Sequence, residues 1–394
     1  MTAEHDPHSS TPPLSGIRIV EFAGIGPAPF AGMMLADMGA EVVRIDRPIP
    51  PAQAAGHSKT DFLARGRRSI CLDLKAPGSS AVARALIKTA DGLIEGFRPG
   101  VMERLELGPD ICLAENPALV YGRMTGWGQT GPLAQAPGHD INYIALTGAL
   151  GAIGAAGGPP VVPLNLLGDF GGGGMVLAFG MVAALLKAGR TGCGDIIDAA
   201  IYDGTTTLMA YIHGLRAADR WTDTRGSNRL DGAAPWYSVY ECADGKWVAI
   251  GAIEPKFWAV LIEALGLTTE EMGAQSDRAA WPVMRAKLSA VFASKPRRHW
   301  VTRLKGLETC FAPVLDLAEA SDHPHAIARQ SFAGDGPDQP MPTPRFAHAR
   351  TPLPQAPPTP GSGAFDILAD AGFDAGEIEE LIATGAVQHP LPAT

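Results

Sequence analysis

An alternation of strand-like and helix-like segments near the N-terminus constrains the fold most. The runs "GIRIVEFAG" (16–24) and "EVVRIDR" (41–47) are rich in β-branched residues, and "PFAGMMLADMGA" (29–40) between them is helix-like. Two strands joined by one helix predict a parallel pair with a right-handed crossover. Because the alternation continues to about residue 200, we predict an α/β fold with a doubly wound, Rossmann-like large domain.

The pattern changes after Gly204, where a helix-like stretch is followed by a hairpin signal at Asp244-Gly245. Further on, nine prolines fall within residues 337–360, a density typical of an extended connector. We therefore predict five regions: a disordered tail at 1–13, the large α/β domain at 14–204, a linker helix at 205–225, a smaller α+β domain at 226–330, and at 331–394 a proline-rich connector with C-terminal helices that return to the large domain.

Composition excludes several classes of protein. The chain has 394 residues and a net charge of −9, which argues against a binder of nucleic acid or of an anionic membrane. The longest apolar stretch, 171–186, is shorter than the roughly 20 residues that a membrane span needs, so we predict a buried helix and no membrane association. The five cysteines are widely spaced, which predicts buried free thiols, a reducing cytoplasmic location and no zinc site.

Basic residues are concentrated in one segment of this acidic chain. Residues 44–75 hold seven basic and three acidic side chains, and Arg98 follows shortly after. A solvated surface would account for this pattern, and so would a site for a phosphorylated ligand held by guanidinium groups. The charge alone leaves both interpretations open.

Three further polar residues stand where chemistry is possible. They are His139, which opens an apolar run together with its neighbour Asp140, Asp169, which precedes four glycines, and Glu254, which ends a strand just before Pro255. Each also has a structural interpretation, as a helix cap or as a residue of a helix N-terminus. The motif "GIGPAP" (24–29) has proline at its sixth position, so we interpret it as a sharp turn with close backbone approach rather than as a dinucleotide site.

Several long motifs resemble the α-methylacyl-CoA racemases of the family III CoA-transferase superfamily. They are "LSGIRIVEFAGIGPAPFAGMMLADMGAEVVRIDRP", "RMTGWGQTGP", "GHDINYIALTG", "PLNLLGDFGGGG", "NRLDGAAPWYSVYECADGKWVAIGAIEP" and "CFAPVL". The similarity extends from about residue 14 to about residue 345. It implies two domains, an interlocked homodimer and an acyl-CoA thioester as ligand, with CoA as part of the substrate and no separate cofactor or metal.

The resemblance also implies roles for individual residues. His139 and Asp169 would be the acid/base pair, and Glu254 would orient His139, across the dimer interface. The CoA-binding and acyl-site residues would be Arg47, Leu72, Asp73, Leu74, Lys75, Arg98, Gly138, Asp140, Ile141, Asn142 and Tyr143.

Two bases suit racemisation, because the α-proton must leave one face of a planar enolate and return to the other. A CoA-transferase would instead use Asp169 as a nucleophile, and Asp169 alone fits either reaction. His139 together with Glu254 favours the racemase. A CoA-binding protein without activity is a third possibility, against which the presence of all three polar residues argues.

Overall fold

The computed structural model describes residues 10–50, 60–333 and 338–388. Its strands are β1 (Arg18–Phe22), β2 (Glu41–Asp46), β3 (Arg67–Cys71), β4 (Gly92–Glu95), β5 (Val120–Thr125), β6 (Asp195–Ala200), β7 (Tyr237–Glu241), β8 (Trp247–Gly251) and β9 (Phe311–Pro313).

The helices follow the same chain order. They are α1 (Pro27–Asp37), α2 (Ser79–Lys88), α3 (Val101–Arg104), α4 (Pro109–Glu115), α5 (Asp140–Leu146), α6 (Ala149–Ala152), α7 (Met175–Thr191), α8 (Ile201–Leu208), α9 (Ala210–Ala217), α10 (Pro255–Ala264), α11 (Thr269–Met272), α12 (Trp281–Ala293), α13 (Arg297–Leu304), α14 (Leu317–Ser321), α15 (Pro324–Ala328), α16 (Ala364–Asp370) and α17 (Ala375–Ala383). A π-helix covers Leu166–Gly174, and short 3-10 helices cover Phe62–Ala64 and Arg278–Ala280.

The chain divides into two compact units. The first comprises Met1–Thr147, Leu164–Leu208 and Gln330–Thr394, and the second comprises Gly148–Pro163 and Met209–Arg329. The segment Gly148–Pro163 lies inside the span that the sequence assigns to the large domain. Most of the tail predicted at 1–13 lies outside the described residues; within them, Pro12 already packs closely on Gly39.

The first unit holds a six-stranded sheet in the order β3-β2-β1-β4-β5-β6, in which every neighbouring pair is parallel. This confirms the predicted α/β fold with a parallel sheet. The chain moves outward from β1 in one direction to β3 and then returns to β4 on the other side of β1. Such a reversal of strand order opens a crevice at the carboxyl ends of the strands, where α/β proteins bind ligands.

Both faces of this sheet are covered. Along β1, Val20 and Phe22 belong to one buried cluster and Ile19 to another, as the two-residue period of a strand requires. The first cluster also contains Ile367 and Leu368 of α16, so the C-terminal helices pack on this sheet. A strand buried on both faces has no regular polar alternation, which is why apolar residues predominate in 16–24 apart from Arg18 and Glu21.

The second unit is built on an antiparallel sheet in the order β7-β8-β9. The hairpin of β7 and β8 turns at the predicted Asp244-Gly245, where Gly245 has a φ of 71°. Trp236 lies at the centre of the core, with the rings of Trp258 and Trp281 edge-on to it.

The stretch predicted as one linker helix is two short helices. Helix α8 ends at Leu208 and α9 runs from Ala210 to Ala217, because Met209 has a ψ of 0° that interrupts the α-helical geometry. The prediction of a single helix over 205–225 is therefore wrong.

The glycine run and the apolar residues after it form one continuous helical segment. The π-helix and α7 span Leu166–Thr191, 26 residues that are long and apolar enough to cross a membrane by length and composition alone. One face of α7 packs against α1, β5 and β6, whereas Phe179 is 76% exposed and Val182 and Leu186 are also exposed. The predicted buried helix is therefore buried on one side only, because the sheet and α1 leave its other side exposed.

All five cysteines are free thiols. Cys71, Cys112 and Cys242 are buried, but Cys193 and Cys310 are exposed, contrary to the prediction that all are buried. Both exposed thiols lie in connections just outside regular elements, after α7 and before β9.

A buried ion pair joins β3 to β1 beneath α1. The guanidinium of Arg67 donates two hydrogen bonds to Oε2 of Glu21, at 2.9 and 3.1 Å, and both side chains have no solvent exposure. Arg67 also donates to the carbonyl of Pro29, in the first turn of α1. Burial raises the pKa of Glu21, and the opposing charge of Arg67 lowers it. The pair thereby fixes the start of α1 over the sheet.

We predict that Arg67→Ala lowers the free energy of unfolding by about 3–5 kcal/mol, because it leaves the Glu21 carboxylate buried without a cation. The loss should diminish as the pH falls, since protonation of Glu21 removes the unpaired charge. Urea unfolding at two pH values measures both effects.

Arg68→Ala is the matched control, because the ion pairs of Arg68 with Glu41 and Asp370 are one-third or more exposed. It should cost less than about 1 kcal/mol. Equal losses in the two variants would show that burial does not determine the strength of the Arg67–Glu21 pair.

Candidate functional site

A cavity of about 420 Å³ lies at the carboxyl ends of the strands where the strand order reverses. The loops after β1, β4 and β5 line it, together with the start of α5 and the π-helix. The lining residues are Ile25, Gly26, Pro27, Ala28, Gly96, Phe97, Arg98, Pro99, Met124, Thr125, Gly126, Trp127, Ala134, Ala136, Pro137, Gly138, His139, Tyr143, Asn165, Asp169 and Ile201. His139 and Asp169, the two bases that the resemblance implies, therefore face one cavity.

His139 is both a cap residue and a residue of the cavity. It is the N-cap of α5, with extended backbone angles, and its N–H donates to Oδ1 of Asn142 at 3.1 Å. The local sequence thus holds the main chain of His139 by a hydrogen bond to the side chain of Asn142. Its imidazole is exposed on the cavity side.

Tyr143 fixes the main chain immediately before His139. Its hydroxyl donates a short hydrogen bond to the carbonyl of Gly138, and its ring fills the space beside Gly126 and Gly138. A Cβ at Gly126 would lie 2.0 Å from the ring, so only glycine fits there. The Trp127 ring packs edge-on against Tyr143 at 4.8 Å between centroids.

The four glycines after Asp169 allow close packing of helices. A Cβ at Gly172 would lie 2.7 Å from the backbone nitrogen of Thr205 on α8, and one at Gly174 would lie 2.8 Å from the carbonyl oxygen of Pro27 on α1. The glycines therefore bring other backbone segments close to the π-helix. π-helical turns are rare and frequently occur at functional sites.

Asp169 lies in the first turn of the π-helix, whose N-cap is Asn165. The structural interpretation of Asp169 as an N-cap is therefore wrong by one turn. Gly26, with a φ of 70°, brings the turn after β1 so close that a Cβ there would lie 2.9 Å from Oδ2 of Asp169. The sharp turn predicted at 24–29 is confirmed, and what its backbone approaches is a carboxylate.

The surroundings of Asp169 raise its pKa. Burial is the largest cause; a hydrogen bond from Asn165 at 3.4 Å lowers the pKa, the charge of Asp140 raises it, and His139 lowers it. Burial also raises the pKa of Tyr143, and the charge of Asp169 adds to this effect. The net result is a carboxyl group that holds a proton more readily than an exposed aspartate.

The other predicted acyl-site residues are distributed unevenly. Gly138 and Tyr143 line the cavity, whereas Ile141 and Asn142 are exposed on α5 and do not line it. Asp140 is buried, and its Oδ1 accepts the N–H of Asp169 at 2.7 Å.

Of the predicted CoA-binding residues, Arg98 lines the cavity and the others do not. Arg47 and Lys75 are exposed and follow the carboxyl ends of β2 and β3, at the same edge of the sheet as the cavity. Asp73 and Leu74 are partly buried. The main chain of Leu72 forms a β-bridge with Val387. Because the side chain of Leu72 lies in the hydrophobic core, only its backbone atoms remain for a ligand.

Most arginines of the basic segment have structural partners. Arg44 forms an ion pair with Asp46. Three further ion pairs have N–O distances of 2.6 to 2.9 Å: Arg65 with Asp37, Arg67 with Glu21 and Arg68 with Glu41. Lys59 lies outside the described residues. Within the described chain, Arg47, Lys75 and Arg98 make no ion pair, so these three cations remain for an anionic ligand.

Glu254 lies in the second unit, as the N-cap of α10, with Pro255 at the first helical position. Its side chain makes no capping hydrogen bond and is exposed. The implied contact with His139 stays a prediction.

Sequence reasoning missed Gly26, Asn165 and Trp127 as residues of the cavity. Asn165 precedes Asp169 by four residues, the spacing at which side chains on a helix meet, but the glycine run obscured the helix. Among the described residues, no group of three or more His, Cys, Asp and Glu side chains could hold a metal ion.

Comparison with known proteins places this geometry in a family. The model of CoA-transferase family III matches residues 14–364. A curated α-methylacyl-CoA racemase of Mus musculus is 45% identical over 371 residues, which cover 93% of this chain and 96% of the mouse protein.

Two more distant relatives also match most of the chain. The acetyl-CoA:oxalate CoA-transferase of Acetobacter aceti is 31% identical, over 84% of this chain and 88% of that protein. The crystal structure of a CAIB/BAIF family protein from Brucella suis superposes with a TM-score of 0.77 at 25% identity, covering 92% of this chain and all of that chain.

We predict that Asp169→Asn raises the free energy of unfolding at about pH 8. A carboxyl group whose pKa is raised by folding destabilises the folded state when ionised, and the amide removes that cost. The gain should shrink as the pH falls towards the ordinary aspartate pKa, about 3.9, because the wild-type carboxyl is then protonated as well.

Urea unfolding at about pH 8 and about pH 5 measures the change. Asp203→Asn, at an exposed position of α8, is the control for the substitution itself. A gain for Asp169→Asn of the same size at both pH values would contradict the predicted effect of burial.

Proposed function

Because this chain belongs to CoA-transferase family III, we propose that it is a racemase that interconverts (R)- and (S)-2-methylacyl-CoA thioesters. The observation that carries the proposal is that His139 and Asp169 line one cavity while burial raises the pKa of Asp169. The high identity to the mouse racemase supports the same choice.

The reaction needs two groups that exchange roles. One takes the α-proton as a base and leaves an enolate; the other, protonated at the start, returns a proton to the opposite face. Histidine and aspartate have ordinary pKa values of about 6.5 and about 3.9, which must come closer for both directions to run. The raised pKa of Asp169 narrows this difference.

The enolate oxygen requires donors while it carries negative charge. We assign this role to the backbone N–H of Asp140, the first residue of α5, because the first N–H groups of a helix have no partner within it. In comparable enzymes one such donor lowers the barrier by roughly 3–4 kcal/mol.

Arg47, Lys75 and Arg98 would bind the phosphates of CoA, since within the described chain they make no ion pair. Asp73, Leu74 and the main chain of Leu72 adjoin Lys75 and would contribute to the same surface, and Gly138, Ile141, Asn142 and Tyr143 would border the acyl group. The CoA moiety belongs to the substrate, and the proposed chemistry needs no cofactor or metal. The five free thiols support a cytoplasmic location.

The proposal includes a homodimer in which Glu254 of one subunit orients His139 of the other. A carboxylate bound to the far nitrogen of an imidazole fixes its tautomer and stabilises its protonated form. The exposed apolar face of α7, with Phe179, Val182 and Leu186, supports burial against a second copy of the chain.

CoA transfer is the alternative function. It would use Asp169 as a nucleophile to form an acyl anhydride, and the Acetobacter relative carries the name of a transferase. A nucleophile must stay ionised, whereas a group that exchanges protons with His139 benefits from the raised pKa of Asp169. This observation favours the racemase.

We predict that the wild-type enzyme in D₂O introduces deuterium at the α-carbon of either enantiomer of a 2-methylacyl-CoA. His139→Ala should lower racemisation by at least about 100-fold, the low end for loss of a general acid/base, yet still exchange one enantiomer through Asp169. Asp169→Asn should show the opposite preference. Mass spectrometry and chiral separation measure exchange and configuration separately.

His325→Ala, at an exposed histidine of the second unit, is the control. The transferase alternative forecasts acyl transfer to a free acid and a covalent adduct on Asp169. Such an adduct, with no α-deuterium in the wild-type product, would overturn the racemase.

The dimeric site predicts complementation. When inactive His139→Ala and Glu254→Ala subunits are unfolded in urea, mixed and refolded, each mixed two-fold dimer should contain one intact site and one doubly altered site. Random pairing then restores about a quarter of wild-type activity. Each variant refolded alone is the control, and no recovery in the mixture would mean that Glu254 acts within its own subunit.

A further inference from the structure

The side chain of Asp140 has no part in the reaction as derived above. It is only 8% exposed, although His139 and Ile141 on either side are exposed. Its Oδ1 accepts the N–H of Asp169, whereas Oδ2 is buried and makes no hydrogen bond to a described residue. A carboxylate placed in this way, between two groups that line the cavity, requires an explanation.

The N–H of Asp169 needs a partner from outside its own helix. The first hydrogen bond within the π-helix is from the N–H of Phe170 to the carbonyl of Asn165, so the N–H of Asp169 precedes the ladder. Asp140 supplies the acceptor, and a hydrogen bond to a carboxylate is about twice as strong as one between neutral groups. This bond ties the main chain of Asp169 to α5, the helix that His139 caps.

The contact is closely fitted. A Cβ at Gly168 would lie 2.3 Å from Oδ1 of Asp140 and 2.8 Å from Cγ2 of Ile144. The carboxylate reaches the N–H of Asp169 only because position 168 carries no side chain. Gly168 and Asp140 therefore form one structural feature.

We propose that Asp140 is a positioning residue, which sets the separation of His139 and Asp169 by holding the N–H of Asp169. This inference rests on the proposed racemase function and adds a residue to its machinery. A shift of about 1 Å in one of two opposed bases would remove it from reach of the α-carbon, and such misplacement costs on the order of 100-fold in rate.

The charge of Asp140 also affects the pKa of Asp169. Burial and Asp140 raise the pKa of Asp169, whereas Asn165 and His139 lower it. His139 and Asp140, at the start of α5, are the titratable groups that act on Asp169, and Tyr143 of the same helix responds to its charge. Removing the charge of Asp140 should therefore lower the pKa of Asp169, and the limb of the rate-against-pH profile that reports it should shift to lower pH.

The test compares Asp140→Asn with Asp140→Ala. The amide retains an oxygen acceptor, so Asp140→Asn should keep at least about a tenth of the wild-type kcat, whereas Asp140→Ala should lose about 100-fold with KM within about threefold. Both variants should shift the acidic limb of the kcat profile to lower pH. Asp110→Ala, at an exposed acidic residue in the first turn of α4, controls for loss of a helix-terminal charge.

Amide hydrogen exchange of the segment 166–174 provides a readout that does not depend on activity. Asp140→Ala should accelerate exchange at the N–H of Asp169 by about tenfold or more, and Asp140→Asn should restore protection. Should Asp140→Ala fail to fold, Gly168→Ala applies the same test, since it displaces the carboxylate without removing it.

Two results would overturn the inference. A raised KM with unchanged kcat would show that Asp140 contacts substrate instead, and unchanged amide exchange in Asp140→Ala would show that it does not hold Asp169. If the wild-type enzyme introduces no α-deuterium, the proposed function fails, and amide exchange alone decides whether Asp140 positions Asp169.

Discussion

Backbone contact through glycine is the constraint on which the site depends. The π-helix approaches α8 so closely that a Cβ at Gly204 would lie 1.8 Å from the carbonyl oxygen of Gly172. The same helix meets α1 at Gly173 and Gly174, where Pro27 and Phe30 leave no room for side chains. Since α1 begins at the turn after β1, this packing brings Asp169 to the crevice of the sheet. Any larger residue in the run would separate the carboxylate from the cavity.

The first unit holds two carboxylates, one buried and one partly buried, in contrasting surroundings. Glu21 lies beneath α1 with Arg67 beside it, and the pair fixes the helix that carries Gly26 and Pro27. Asp169 has no cation of this kind; its neighbours are an amide, a second carboxylate and the imidazole of His139. The first carboxylate is neutralised by an ion pair and serves the structure. Burial raises the pKa of both carboxyl groups, but only that of Asp169 lies in the cavity without a bonded cation, a cost in stability that is typical of a group required to exchange protons.

The sequence predicts the architecture well because its signals are local. Strands buried on both faces appear as segments rich in β-branched residues without regular polar alternation, and the turn at Asp244-Gly245 specifies a hairpin. The exposed face of α7 was not predictable, because periodicity shows which residues are apolar but not what covers them. The interruption at Met209 was equally invisible, since no proline or glycine marks it. Within the site, Arg98, His139, Tyr143 and Asp169 were found through the family resemblance rather than through pattern alone.

Because sequence signals are local, some residues of the site could not be predicted from them. The roles of Gly26 and Gly168 depend on contacts with residues more than 25 positions away, so no local pattern reports them. The basic segment gave a misleading signal for the same reason. Its net charge suggested one phosphate-binding surface, but most of its arginines pair with Asp37, Glu21, Glu41 and Asp46, which come from the sheet and from α1. Charge in a sequence therefore becomes evidence for a ligand only after the structural ion pairs are known, and Arg47, Lys75 and Arg98 are the cations of the described chain that meet this condition near the crevice.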